Sequence, residues 1–272
     1  MEKSAELLHI SKKIVLKIGS SVLSNETGLV NRDTVKNIAD QVQYLRNVGK
    51  QVIIVSSGAG VCGAGALDKW DRRSDINYKQ ALCAIGQVEL MLAYKEYLNA
   101  HGVVVAQMLL TADDFRDCNR NLNIRNTLFT LVDEGVVPVI NENDSVSVDE
   151  IKIGDNDMLA AYAAGLWNAD LLILLSDIDG LYDKSPKEHE NARLIREVYD
   201  LNTLIGSIEI GEKSAFGTGG IMTKISAAKE AGKHNIPTII MNGRMRDVII
   251  NAANDLETNA TTFLGFDIMS SR

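Results

Sequence analysis

Positive charge, paired cysteines and long apolar runs are all scarce in this 272-residue chain, and each shortage removes a class of function. The formal net charge is −8, with 28 Lys and Arg set against 36 Asp and Glu. Lysines and acids are interleaved throughout, so no surface for nucleic acid or for an anionic membrane is expected. Phosphate binding would have to come from local lysines and helix ends. Only three cysteines occur, Cys62, Cys83 and Cys118, without a CxxC pair. Structural thiols in a reducing cytosol are the expectation. Four histidines, His9, His101, His189 and His234, are too scattered for a zinc site or a histidine-based triad. The first residues, Met-Glu-Lys-Ser-Ala-Glu, lack the apolar core of a signal peptide. The longest apolar stretch, Met158 to Leu175, is broken by Gly165, Asn168 and Asp170, so no membrane span is expected. These absences together predict a cytoplasmic protein.

What the chain does contain is enough apolar material for a large core, at 46% apolar and 24% charged residues. Lys13–Ile18, Gln51–Val55, Val103–Met108, Val136–Ile140, Asp170–Leu175, Ile236–Met241 and Thr261–Leu264 read as strands, several of them continuous β-branched runs typical of buried parallel strands. Helices are predicted between them. Asp33 to Val48 carries an apolar stripe at Val35, Ile38, Ala39, Val42, Leu45 and Val48, with Asp33 as its cap. Further helices fall over Tyr78–Asn99, Asn123–Asp133, Met158–Trp167 and Gly220–His234. Alternation at this spacing implies a mainly parallel sheet covered on both faces. A single three-layer α/β/α domain over residues 1–272 is the simplest organisation, with two lobes around a cleft as a variant. No internal repeat or Pro/Gly/Ser linker divides it.

Four features carry chemistry. The first is the block Val139 to Asp157, where the Asx-rich clusters Asn141–Asp144 and Asp155–Asp157 follow short apolar runs. Polar groups just beyond a buried strand lie where open α/β sheets bind ligands. Asp suits an ammonium group and Asn either end of a zwitterion; a pair of polar turns would show the same composition. The second is Gly58-x-Gly60-x-x-Gly63, directly after a strand, which by itself is a dinucleotide fingerprint. The segment Leu67 to Asp75 then offers charges in place of a second buried strand, which disfavours an NAD-dependent oxidoreductase. The glycines fit close approach to an anion, or simply tight helix–sheet contact.

The third feature is Ala215 to Lys224, where glycines lead into a helix with Thr218, Thr223 and Lys224 near its start. That geometry suits phosphates although no Walker motif is present; an exposed loop with a surface lysine is the competing account. The fourth is Lys17, the lone charge inside Ile14-Val-Leu-Lys-Ile18. An unpaired buried ammonium is costly, so Lys17 is expected to reach a site, edge-strand exposure being the alternative. The Asp-rich block lacks the glycine and terminal glutamate of a calcium loop, and no protein-held metal is expected.

Taken together these motifs resemble the amino acid kinase family. The resemblance runs in order through Ile14–Leu23, Ile53–Ala59, Gly86-Gln87, Gln107–Thr111, Pro138–Asp144, Lys152–Asp157, Leu175–Asp177 and Gly217–Lys224, which is most of the chain. The Asn-Glu-Asn-Asp and Gly-Asp-Asn-Asp blocks separate it from acetylglutamate, aspartate and nucleoside-monophosphate kinases. The resemblance implies ATP-dependent phosphorylation of the γ-carboxylate of L-glutamate, on the way to proline, with Mg2+ carried on the nucleotide. It implies that Lys17 and Lys224 contact the phosphoryl groups and that Asp157 orients them. Ser57, Asp144 and Asn156 would bind glutamate. Ser176, Asp177 and the run Thr218, Gly219, Gly220, Ile221, Met222, Thr223 and Lys224 would hold ATP together with Lys17. Departures are small: Ile221 stands where many relatives carry Met, Ser56 where Thr is common, and the Gly60–Gly65 run is richer in glycine. The resemblance further implies a homo-oligomer, dimer or tetramer, and feedback inhibition by proline. A C-terminal PUA domain, frequent in relatives, is not expected here.

Overall fold

Strict alternation along the first strand decides how the layers form. In the computed structural model, which describes residues 1–70, 76–146, 156–184, 186, 188–201, 203–204 and 220–264, Lys13–Ile18 (β1) is a central strand. Ile14, Leu16 and Ile18 face one apolar core and Val15 faces the other. Period-two alternation therefore sends Lys17 to the same side as Val15. The remaining strands are Gln51–Ser56 (β2), Val105–Leu110 (β3), Val137–Glu142 (β4), Leu171–Ser176 (β5), Leu181–Tyr182 (β6), Leu194–Ile195 (β7), Glu197–Val198 (β8), Thr238–Asn242 (β9) and Ala260–Phe263 (β10). The helices are Lys3–Ile10 (α1), Ser20–Leu23 (α2), Arg32–Asn47 (α3), Ala59–Leu67 (α4), Ile76–Asn99 (α5), Ala112–Arg116 (α6), Cys118–Asp133 (α7), Asn156–Trp167 (α8), Ile221–Gly232 (α9) and Val248–Ala253 (α10).

Eight strands form one sheet in the order β3-β4-β2-β1-β5-β9-β10-β8. All neighbours are parallel except β9 and β10. One core lies under α3, α5 and α10; the other lies under α7, α8 and α9 and contains Val15, Ile53, Val55, Leu172 and Leu174. The three-layer α/β/α arrangement with a mainly parallel sheet is thus the observed fold. Among the described residues no helix is long and apolar enough to cross a membrane.

Topology then places a crevice. From β1 the chain steps to β2 on one side, while β5 and β9 add on the other, so strand order reverses at β1/β5. In open α/β sheets ligands bind outside the carboxyl ends at such a point. The register puts Ile18 opposite Ser56 and Leu175, so β1, β2 and β5 end level with one another. Gly19 closes this edge: its N–H donates to Leu175 O at 3.0 Å, and the chain turns at once into α2. Gly19 is the N-cap of that short helix.

Two local expectations need correcting. The cap of α3 is Asn31, whose side chain accepts from the Thr34 N–H, and Asp33 occupies the first turn. Asn at that position satisfies an orphan amide, whereas Asp33 is already helical. The third strand runs two residues later than its apolar run suggests, because Gly102 (φ +72°) and Val103 are still finishing the turn after α5.

The glycine-rich segment does not make the helix–sheet contact expected of it. It lets α4 press against α5. A Cβ on Gly63 would lie 1.9 Å from Leu82 O, and one on Gly86 would lie 1.8 Å from Ala59 O. A Cβ on Gly60 would lie 3.1 Å from Cys83 Sγ, and one on Gly65 would meet the backbone of Gly28. Only Gly58, with φ +95°, serves a left-handed turn, as the N-cap of α4. Gly86→Ala should therefore drive the helices apart, at a cost of about 1–3 kcal/mol. A thermal or urea unfolding comparison would show this, and unchanged stability would contradict the close approach.

Candidate active site

Three helices that lead towards parallel strands, or follow them, start at the carboxyl edge of the sheet. Ser57 follows β2 immediately before α4, Asn156 and Asp157 open α8, and Thr223 and Lys224 lie in the first turn of α9. The core under α8 and α9 is the one that Lys17 faces. Sequence-distant charged groups are thereby brought to one point.

There Lys17 Nζ lies 2.6 Å from Asp157 Oδ1, and Lys224 Nζ lies 3.2 Å from Asp157 Oδ2. The three residues are almost completely enclosed, at 4%, 0% and 5% exposure for Lys17, Asp157 and Lys224. Both alternatives considered above fail on this: Lys17 is on a central strand, and Lys224 is not a surface lysine. Burial would push the Asp157 carboxyl up, but the ammonium groups of Lys17 and then Lys224 overcome it and hold it below the usual carboxylate range. Thr223 Oγ1 lies 3.2 Å from Asp157 Oδ2 and 2.8 Å from Gly220 O, two acceptors that share its one proton. Among the described residues, the cations of this cluster outnumber its anions. Such a cluster favours an arriving anion, and it stands in a chain that is acidic overall.

Beside the ion cluster runs an amide network. Asn156 Nδ2 is 2.7 Å from Ser56 O, 3.1 Å from Ser57 Oγ and 2.8 Å from Asn141 Oδ1. Asn141 Nδ2 donates to Gln87 Oε1 at 2.8 Å. Ser56 Oγ lies 3.0 Å from the hydroxyl of the fully buried Tyr94, so the serine keeps a polar partner. Gln87, Asn141 and Asp144 share a cleft of about 190 Å3 with Ala59, Glu142 and Gln107. Asp144 thus belongs to the wall of a cavity and not to an isolated polar turn.

On the other side of the crevice, Ser176 is buried at the end of β5 and its hydroxyl donates to Asp177 Oδ1 at 3.3 Å. Gly220 caps α9, and Ile221 and Met222 are 38% and 41% exposed, available to a ligand rather than committed to the core. Thr218 and Gly219 lie outside the described residues, as do Asp75 and Asp155. Gly60 and Gly63 are occupied by packing against α5, which leaves the dinucleotide fingerprint without the backbone approach it requires. Cys62 and Cys83 are buried, and burial pushes the Cys62 thiol up to about 12. Cys118 is exposed at the start of α7, so the structural reading suits two of the three.

Asn141 and Gln87 received no individual role from the sequence. Asn141 was legible only as a member of its acidic block, and its partner is 54 residues away on α5. A polar residue at the end of the buried run Val137–Ile140 was the available signal.

Comparison with known proteins identifies the family. The model of the amino acid kinase family matches residues 12–242. A glutamate 5-kinase of Alkaliphilus metalliredigens is 57% identical over 258 residues, covering 95% of this chain and 97% of the relative. A glutamate 5-kinase of Caldanaerobacter subterraneus is 44% identical, covering 93% of this chain and 68% of the relative. Among solved structures, an isopentenyl phosphate kinase superposes with a TM-score of 0.64 at 20% identity, covering 92% of this chain and 99% of that one. The UMP kinase of Ureaplasma parvum superposes with a TM-score of 0.64 at 17% identity, covering 93% and 98%. At those identities the two structures speak for the fold alone. With its parallel sheet, its level strand ends and a family match reaching from β1 to β9, this chain belongs to the amino acid kinase family.

Proposed function

We propose that the chain transfers the γ-phosphoryl group of ATP to the γ-carboxylate of L-glutamate, giving γ-glutamyl phosphate and ADP. The observation that carries this is the buried Lys17–Asp157–Lys224 cluster at the sheet's switch point. Its closeness to named glutamate 5-kinases selects the substrate. A carboxylate oxygen forms the new O–P bond while the bridging oxygen leaves with ADP. The nucleophile is already ionised, so no general base is required. The obstacle is the approach of two anions and the redistribution of charge on the transferred group. Lys17 and Lys224 neutralise that charge, and Asp157 holds the two ammonium groups together. Ser57 and Asn156 bind the acceptor, with Asp144 taking the α-ammonium. Ser176, Asp177, Thr218, Gly219, Gly220, Ile221, Met222 and Thr223 hold the nucleotide.

Mg2+ enters this reading as the nucleotide's counter-ion and supplies charge neutralisation on the phosphates. The Asp157 oxygens face two ammonium groups, a donor set that fits cations already in the protein rather than a protein-held metal. In the same reading residues 1–272 form one kinase domain that works in the cytoplasm as a homo-oligomer, dimer or tetramer. Proline, shaped like cyclised glutamate, would then compete for the glutamate cleft.

Incubation with Mg-ATP, glutamate and hydroxylamine tests the reaction, because an acyl phosphate is trapped as a hydroxamate. Aspartate, acetylglutamate and carbamate run in parallel separate the acceptors. Absence of glutamate-dependent ADP release would defeat the proposal. Asp144→Ala should raise the KM for glutamate roughly 10- to 100-fold, the scale of a lost hydrogen bond to a charged group. An increase confined to the KM for ATP would remove Asp144 from the acceptor site.

A further inference from the structure

The amide network leaves one donor over, and its identity is fixed by groups whose roles cannot be exchanged. The Ser56 carbonyl can only accept, so Asn156 must present its Nδ2 there, and the same nitrogen reaches Asn141 Oδ1. The Glu142 N–H can only donate, and it too meets Asn141 Oδ1, at 2.8 Å. Asn141 therefore turns its Nδ2 towards Gln87, whose Oε1 accepts. What remains is Gln87 Nε2, buried and, among the described residues, without a hydrogen-bond partner, on a residue only 8% exposed. Buried amide donors are almost always satisfied, and an orphan is unfavourable. An orphan on a cavity wall points to an acceptor that arrives with a ligand.

The same cavity wall carries Asp144, while Lys17, Asp157 and Lys224 do not line it. Gln87 thus lines a part of the site that the phosphoryl-handling lysines do not line. An α-amino acid presents an ammonium and a carboxylate on one carbon, and a carboxylate next to an α-ammonium is the acceptor that an orphan amide beside Asp144 would meet. We propose that Gln87 Nε2 donates to the α-carboxylate of the substrate, making Gln87 a specificity residue for free α-amino acids. This inference rests on the glutamate kinase reading and adds a contact to it. Gln87 and Asp144 together read the head group, whereas the lysines act on the far carboxylate.

Two variants test this. Gln87→Glu keeps an oxygen to accept from Asn141 but replaces the donor with an anion; Gln87→Met removes both with little change in volume. Each should raise the KM for glutamate about 10- to 100-fold and leave the KM for ATP within about twofold. With 4-aminobutyrate, which lacks the α-carboxylate, Gln87→Glu should lose far less activity than it does with glutamate. A glutamate KM unchanged in Gln87→Glu would overturn the proposal, because that variant preserves the Asn141 hydrogen bond and isolates the donor. Parallel loss with 4-aminobutyrate, or a matching rise for ATP, would reduce Gln87 to a support of the network. Where 4-aminobutyrate turns over too slowly to measure in either protein, the split between glutamate and ATP constants decides. A wild-type chain without glutamate-dependent hydroxamate would sink the kinase reading itself; normal wild-type activity with unaffected variants sinks only the role of Gln87.

Discussion

Asp157→Asn should abolish measurable phosphoryl transfer and also weaken the fold, by about 3–5 kcal/mol, the usual scale for removing one partner from a buried ion pair. The reason is geometric. Lys17 and Lys224 approach opposite oxygens of one carboxylate, at 2.6 and 3.2 Å, inside an enclosed pocket. Without the negative charge, two ammonium groups confront each other across a neutral amide. One of them would give up its proton or swing away, and either change removes a cation from the transfer site. Chemical denaturation with the hydroxamate assay would check both halves; an active, fully stable Asp157→Asn protein would show that the cluster is ornamental. The pH dependence has a definite sign. Because the carboxyl is held below its ordinary value of 3.8, its pairing contributes fully above that value and is lost as pH falls through the lower folded one. Stability loss from this group should accordingly appear only in strong acid, with no limb near neutrality.

Lys224→Ala should separate catalysis from folding. This change takes one cation from a cluster in which Lys17 still pairs with Asp157. The carboxylate stays compensated, so the stability cost should be well below that of Asp157→Asn. Turnover should fall by roughly 10²- to 10³-fold, since removing one preorganised donor to developing charge typically costs about 3–4 kcal/mol in the transition state. Steady-state kinetics should show kcat carrying most of the loss, with the glutamate KM little moved. A variant whose kcat matches the parent would exclude Lys224 from the transition state, whatever its distance from Asp157.

Both expectations depend on a meeting that the sequence indicated only in part. Lys17 was legible because a lone ammonium in the run Ile14–Ile18 demands a partner. Its direction was legible too, once Lys13–Ile18 is taken as a strand, because alternation puts it beside Val15 and opposite Ile18. Lys224 was less secure, since a lysine near a helix start is common on surfaces. The glycine loop showed the limit of motif reading. Gly58-x-Gly60-x-x-Gly63 has the spacing of an anion loop, yet Gly63 and Gly86 exist here so that α4 and α5 can touch. No local pattern distinguishes a glycine kept for a ligand from one kept for a neighbouring helix 20 or more residues away. The cap of α3 failed for a smaller reason: Asn31 and Asp33 are both acceptable caps, and which one stops being helical is decided by the turn before it.

The sequence by itself determined the element types, the parallel sheet and the short list of residues able to handle phosphate and an amino acid. Period-two burial, helical stripes and the cost of isolated charge are local properties, so they can be read along the chain. Only the tertiary structure decided that Lys17 on β1 and Lys224, 67 positions beyond Asp157, both land on the Asp157 carboxylate, and that Asn141 passes its hydrogen bond to Gln87. Those pairings follow from the order β2-β1-β5-β9 and from α8 and α9 covering one face of it. Strand order is settled by packing among distant segments, a contest whose outcome no single stretch of sequence contains.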